Sequence, residues 1–128
     1  MKRSGLTNPQ LLRAIAQLGH TDTFAIADAG LPIPKDVEVV DLSIDFGFPE
    51  FVDVAQRILP SIVAEKAELA LEAPEGVLHV VSDQLQDAVI EQCSHEDLKR
   101  KLRDVKFVVR TGSVTPYANV IVHSGVPF

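Results

Sequence analysis

The sequence predicts a three-layer α/β/α domain built on a mixed, mostly parallel sheet, spanning residues 1–128. Two observations carry that expectation. Short apolar runs of strand character alternate with segments of helical periodicity, the pattern of a sheet covered on both faces. Two late strands, 106–110 and 119–123, are joined by a loop too short for a parallel crossover, so at least one strand must run against the rest.

The elements follow in order. Asn8 before Pro9 reads as an N-cap and first helical position. Leu11, Leu12, Ile15 and Leu18 then share a helical face, and Gly19 marks a stop. TFAIADA (23–29), apolar and bounded by turn formers, is a buried strand. VEVVDL (37–42) is a second strand. EFVDVAQRIL (50–59) is a helix, with Phe51, Val54, Ala55 and Ile58 on one side. KAELALE (66–72) alternates as a strand does, yet its Ala and Glu are helix formers, and both readings stay open. Pro74 and Gly76 punctuate the chain before a helix at VLHVVSDQLQ and a strand at AVIEQ. Ser94 caps HEDLKRKLR, whose acidic first turn and basic last turns suit the helix dipole. KFVVR and NVIVHS are the closing strands, separated by the loop TGSVTPY.

Composition narrows the function. Twelve basic residues against eighteen acidic ones give a net charge of −6, which argues against a nucleic-acid partner. A neutral ligand such as a sugar is compatible with it. Cys93 is the single cysteine, so no internal disulfide forms, and a reducing, cytoplasmic setting fits. Arg13 and Gln17 interrupt the N-terminal apolar pattern, unlike a signal peptide, and no apolar run reaches the roughly 18 residues of a membrane span. Phosphate-loop, GxGxxG, HExxH and GxSxG patterns are missing, and one cysteine rules out a Cys-rich zinc site. Few aromatics and no tryptophan point to a small, enclosed ligand over a polysaccharide.

Candidate functional residues each have two readings. Asp28, at the carboxyl end of a buried strand, lies where ligands gather in open α/β sheets, and is also a natural Asx-turn residue. His20, just beyond a helix end, exchanges protons near neutral pH, or simply answers the helix dipole. His95 opens a helix, where the dipole disfavours a cationic ring and favours a neutral hydrogen-bonding one; it could equally be a solvated first-turn residue. Tyr117, the sole tyrosine, and Asn119 offer directional hydrogen bonds to hydroxyls, or cover the core and hold a turn. His79 and His123 read as packing or surface residues, and Lys35 either approaches a ligand or is solvated. The basic cluster at 99–103 reads as the polar side and end of a helix.

GHTDTFAIADAGLPIP (19–34), DFGFPEF, SHEDLK, RTG and TPYANVIVHSGVPF occur together and in this order. They resemble the D-ribose pyranase family, a branch of the sugar mutarotases that also includes the fucose mutarotases. The likeness covers most of the chain; residues 62–92 match least and are short for the family. DAGLPIP favours the ribose branch. The resemblance implies a single sugar mutarotase domain that interconverts pyranose and furanose D-ribose in ribose catabolism, without metal or organic cofactor. It implies His20 as proton donor and Asp28, His95, Tyr117, Ala118 and Asn119 as sugar contacts. It also implies a homo-oligomer, pentameric rings stacked as decamers, with sites at subunit boundaries. Other readings within reach are a fucose or other monosaccharide mutarotase, a non-catalytic sugar-binding ring, and a structural oligomer. Under the enzyme reading, a helix end and a strand end are expected to bring His20 and Asp28 to one rim of the sheet, with Pro32 and Pro34 stiffening the wall beside them.

Overall fold

The computed structural model describes residues 1–128. Its elements are α1 (Pro9–Ala16), β1 (Thr23–Ala27), β2 (Glu38–Asp41), α2 (Phe51–Ile58), β3 (Ala64–Ala70), α3 (Glu75–Gln84), β4 (Val89–Cys93), α4 (His95–Lys101), β5 (Phe107–Arg110) and β6 (Val120–Ser124). The strands form one sheet in the order β2-β5-β1-β6-β3-β4. β6 runs antiparallel to both its neighbours, β1 and β3, while the other pairings are parallel. The sheet is therefore mixed, as the short late connection requires. The two late strands are not paired with each other, however, because β1 lies between them. The loop that joins them must pass over the carboxyl end of β1.

The two faces are covered unequally. On one, α1, α2 and α3 contribute Leu11, Phe51, Val54, Ile58, Val77 and Val81 to a cluster with strand residues such as Phe24, Ile26, Phe107 and Val122. Phe24 and Phe107 stack with ring centroids 5.1 Å apart at its centre. On the other face, α4 and the segment after it supply Leu98, Leu102 and Val105 against Ala25, Ala27, Val108 and Ile121. Leu31 completes that cluster, and Ile33 and Val37 pack on it. The DAGLPIP loop is thus the crossover from β1 to β2, and it does on this face what a helix does elsewhere. Pro32 and Pro34 restrict φ in a segment that has no ladder hydrogen bonds to order it.

Local signals explain most boundaries. The Asn8 side chain accepts from Leu11 N–H at 2.9 Å, and Ser94 Oγ accepts from Asp97 N–H at 3.1 Å. The α1 face is centred on Leu11 and Ala14, with Ile15 and Leu18 beside them; Leu12 lies about 100° from Leu11 and stays outside the core cluster. KAELALE is a strand, starting two residues earlier, because β3 is paired on both sides and that pairing overrides helix propensity. Gly76 does not interrupt α3, which begins at Glu75 with an acidic residue in its first turn. Residues 62–92 hold β3, α3 and β4, a complete strand–helix–strand unit.

Beneath α4 sits a buried charge. Glu68 is 5% exposed, and its carboxylate accepts from Lys101 Nζ and from His123 Nε2, the latter at 2.6 Å, with Lys66 Nζ 3.8 Å away. Burial alone would raise the Glu68 pKa, but the hydrogen bonds from Lys101 and His123 outweigh it and hold the carboxyl below its ordinary value. His123, expected from sequence as a packing or surface residue, is here a partner for that charge. A folded-state value below the unfolded one stabilises the fold above the ordinary glutamate range, about 4.3, and the contribution is lost as pH falls through the lowered value. Denaturant titrations from pH 7 to pH 3 are expected to show wild type losing more stability than Glu68→Gln; equal losses would refute the assignment.

Candidate active site

Chain direction sorts the sequence candidates onto two rims. β1, β3 and β4 run the same way, and β6 the other. The rim where β1 ends therefore also carries the ends of β3 and β4, the start of α4 and the start of β6. Asp28, His95, Tyr117, Ala118 and Asn119 all lie there.

Asp28 and Asn119 are bound in both directions. Asn119 Oδ1 accepts from Asp28 N–H at 2.8 Å, and Asn119 Nδ2 donates to Asp28 Oδ2 at 3.0 Å. The Asn119 amide is fully buried, so this pairing also satisfies groups that water cannot reach. Asp28 Oδ1 accepts from Gly30 N–H at 2.9 Å, which is the Asx turn. The turn role and a ligand role are compatible. A carboxylate has about four lone-pair sites, these bonds use two, and the rest can accept from hydroxyls. The loop after β5 is fastened to the same strand end. Thr111 N–H and Oγ1 both donate to Ala27 O, at 2.9 and 2.8 Å, and Ala29 N–H donates to Ser113 O at 2.9 Å.

Tyr117 has φ 62°, and Thr21, next to His20, has φ 70°; they are the two non-glycine residues in the left-handed region. Such conformations cost energy and collect at functional sites. The Tyr117 ring meets the His95 ring edge-to-face, centroids 4.9 Å apart at 77°. His95 N–H donates to Glu72 Oε2 at 3.0 Å, and His95 Nδ1 is buried without a hydrogen-bond partner. That ring nitrogen is a directional group held in reserve. Ala118 points its methyl into the core, so only its backbone can reach the rim.

A cavity of about 260 Å³ opens beside Asp28, lined also by Phe46, Ser113 and Thr115. Phe46 is 84% exposed, and Ile44, Phe48 and Val114 are exposed with it. The loop bearing Ile44, Phe46 and Phe48 is pinned by Gly112: an added Cβ there would lie 2.3 Å from Phe48 O and 2.4 Å from Asp45 O. Arg110 projects at the same end of the sheet and donates to Asp41 Oδ2 at 3.1 Å. For the Asp41 carboxyl, burial acts upward, but hydrogen bonds from Ser43 and Arg110 prevail and lower its pKa. Phe46 was not legible as a site residue, because exposure of an aromatic ring has no sequence pattern. The site contains hydrogen-bonding groups, and no three His, Cys, Asp or Glu side chains converge as a metal set.

His20 is elsewhere. It precedes β1, so it lies at the opposite rim from Asp28, and β1 alone spans about 17 Å at roughly 3.3 Å per residue. The expectation that both residues share one rim is therefore wrong for a single chain: a helix end leads into the start of the strand, and Asp28 follows its end. His20 instead contacts Glu65, with Nε2 and Oε1 2.6 Å apart.

Removing the Asn119 amide leaves Asp28 N–H without its partner, a loss of about 1–3 kcal/mol for a buried donor. Asn119→Ala is expected to lower the denaturant midpoint accordingly. Asn119→Asp sets a second carboxylate against Asp28 and is expected to lower the midpoint further at neutral pH than at about pH 4. An unchanged midpoint in both variants would refute the clamp.

Comparison with known proteins gives a consistent result. The model of the RbsD / FucU transport protein family matches residues 1–127. A D-ribose pyranase of Corynebacterium glutamicum is 51% identical over 128 residues, covering all of both chains. A D-ribose pyranase of Cutibacterium acnes is 52% identical over 132 residues, again with both chains fully covered. Among solved structures, Bacillus subtilis RbsD complexed with D-ribose aligns over the whole of both chains, with TM-score 0.93 and 40% identity. The fucose mutarotase from Streptococcus pneumoniae in complex with L-fucose shares the fold at TM-score 0.78, with 18% identity over 94% of each chain.

Proposed function

The chain belongs to the RbsD / FucU transport protein family, and on that premise we propose that it is a D-ribose pyranase, an isomerase that opens and recloses the hemiacetal ring of D-ribose. What carries the reading is end-to-end kinship with proteins of that name, at 51% and 52% identity. The likeness to FucU from Bifidobacterium longum and to the Streptococcus pneumoniae fucose mutarotase is one of fold, at 22% and 18% identity.

The chemistry asks little beyond proton control. In ring opening, the C1–O5 bond breaks, O5 gains a proton and the anomeric hydroxyl loses one. Reclosure forms the C1–O4 bond, O4 loses a proton and O1 regains one. No carbon–carbon bond changes, so no electron sink is needed. A positioned acid–base group contributes about 10²–10⁴-fold, enough for a reaction that already proceeds unaided. On this reading His20 gives the proton and takes it back. Asp28, held by Asn119 and Gly30, accepts from sugar hydroxyls, and His95, Tyr117 and the backbone at Ala118 close the other side.

Because His20 and Asp28 occupy opposite rims, a complete site takes His20 from a second copy. The exposed Phe46 and Val114, which line the Asp28 cavity, and Ile44 and Phe48 on the loop of Phe46 are the apolar surface such a contact would cover. A head-to-tail contact of this kind builds a ring where its rotation closes, and pentameric rings stacked as decamers are the assembly proposed with it. A cytoplasmic location suits a ribose-handling enzyme, and no helix here is long and apolar enough to cross a membrane.

The test is proton saturation transfer on equilibrated D-ribose. The protein at catalytic concentration is expected to carry saturation from the β-pyranose to the β-furanose anomeric line, and His20→Ala to abolish the effect. Silence for ribose with transfer for another monosaccharide would replace the substrate; silence throughout would favour a binding ring. Mixing His20→Ala with Asp28→Ala subunits is expected to restore roughly a quarter of the wild-type rate, the random-mixing fraction for a head-to-tail site. No recovery would refute the shared site.

A further inference from the structure

We propose that Glu65 is the positioning residue for His20, fixing the ring so that Nδ1 is the nitrogen that exchanges protons with the sugar. The proposal rests on the reading of His20 as the acid. Its starting point is the 2.6 Å contact between Glu65 Oε1 and His20 Nε2. A carboxylate only accepts, so Nε2 carries the hydrogen and Nδ1 of this half-exposed ring is left with its lone pair. A neutral ring then offers a base at Nδ1, and the protonated ring offers an acid at the same atom, which is what ring opening followed by reclosure requires.

Three backbone features aim Glu65 at this place. First, the pairing of β3 with β6 shifts between Ala64↔Ser124 and Lys66↔His123. Two residues of β3 thus oppose one of β6, and Glu65 is the extra one. Bulges of this kind re-aim a side chain at the edge of a site. Second, Gly125 packs against the Glu65 stem: an added Cβ would lie 2.9 Å from Glu65 Cγ and 3.3 Å from Val63 Cγ1. Gly125 N–H also donates to Val63 O at 2.8 Å, which holds the start of β3 in place. Third, the turn bearing His20 is tied to the end of β6. Thr21 N–H donates to Ser124 O at 2.9 Å, and Ser124 N–H to Asp22 O at 2.8 Å. The other carboxylate in this turn, Asp22, is already engaged by Gly19 N–H at 2.9 Å and lies 3.7 Å from Lys106 Nζ. Glu65 is left as the anion in contact with the ring. A positioning carboxylate behind a histidine holds the tautomer and stabilises the imidazolium, as in the serine-protease arrangement, here with the two ring nitrogens exchanged.

The experiment combines long-range 1H–15N spectra of the His20 ring with kcat and KM from saturation transfer, for wild type, Glu65→Ala, Glu65→Gln and His20→Ala. Wild type is expected to show the Nε2–H tautomer at alkaline pH. Glu65→Ala is expected to show mixed tautomers and a kcat lower by about 10- to 100-fold, with KM within about twofold. Glu65→Gln, whose amide oxygen still accepts from Nε2–H, is expected to keep the tautomer and recover part of the rate. Wild-type kcat or an unchanged tautomer in Glu65→Ala would overturn the proposal. If His20→Ala retains full exchange, the reading of His20 itself fails and the role of Glu65 fails with it. Loss in His20→Ala beside an unaffected Glu65→Ala overturns Glu65 alone.

Discussion

The paired hydrogen bonds between Asp28 and Asn119 join segments 91 residues apart, and much of the candidate site depends on them. They follow from the position of β6. A strand inserted antiparallel between β1 and β3 must begin at the rim where β1 ends. The loop from β5 is then forced across that end, and its backbone groups need partners there. Thr111, Ser113 and Asn119 satisfy them against Ala27, Ala29 and Asp28. The same crossing delivers Tyr117 to His95. One reversed strand thus gathers directional hydrogen-bonding groups at one rim of the sheet.

The thin face of the sheet follows from the same economy of chain. Three helices cover one side, whereas α4 and the proline-containing crossover cover the other. β1 is small on that side, with Ala25 and Ala27, so a loop can lie close to it. Farther along the face, small apolar residues give way to Glu68 and its cations. Replacing such a network by apolar residues can be neutral or stabilising, while removing a single member leaves a buried charge unpaired. The network gives α4 a defined seat through Lys101, and α4 begins with His95, so its register bears on the rim as well.

Much of this was legible in the sequence because it is local. The Asn8-Pro9 cap, the four buried positions of α2, the apolar run of β1 and the Ser94 cap each depend on neighbours within a few residues. Asp28, His95 and the 117–119 segment could likewise be placed at strand and helix ends. What could not be read was anything set by strand order. The sequence shows that one strand must be reversed but not that it lies beside β1, so neither the Asp28–Asn119 bonds nor the separation of His20 from Asp28 was visible. The expectation of a shared rim treated closeness in sequence as closeness in space, and a strand between two residues guarantees the contrary. Glu65 was not legible for a related reason: its direction is set by a bulge just ahead of KAELALE, and nothing in the sequence marks where the register slips.

That separation bears directly on how activity can depend on assembly. β1 cannot be shortened without losing its buried residues, and its length keeps His20 and Asp28 apart in every isolated chain. On the reading proposed for this chain, folding completes each half-site, and only association completes the whole. The half-site at the His20 rim is organised by Glu65, Thr21 and Ser124, and the half at the Asp28 rim by Asn119, Gly30 and Gly112. Each is tied by hydrogen bonds within its own chain, so on that reading association has less loop ordering to supply. A low-barrier reaction tolerates such an arrangement well, because it needs one correctly held proton and little else. The cost is a rate that falls with dissociation, and a chain alone would retain its fold but lose its chemistry.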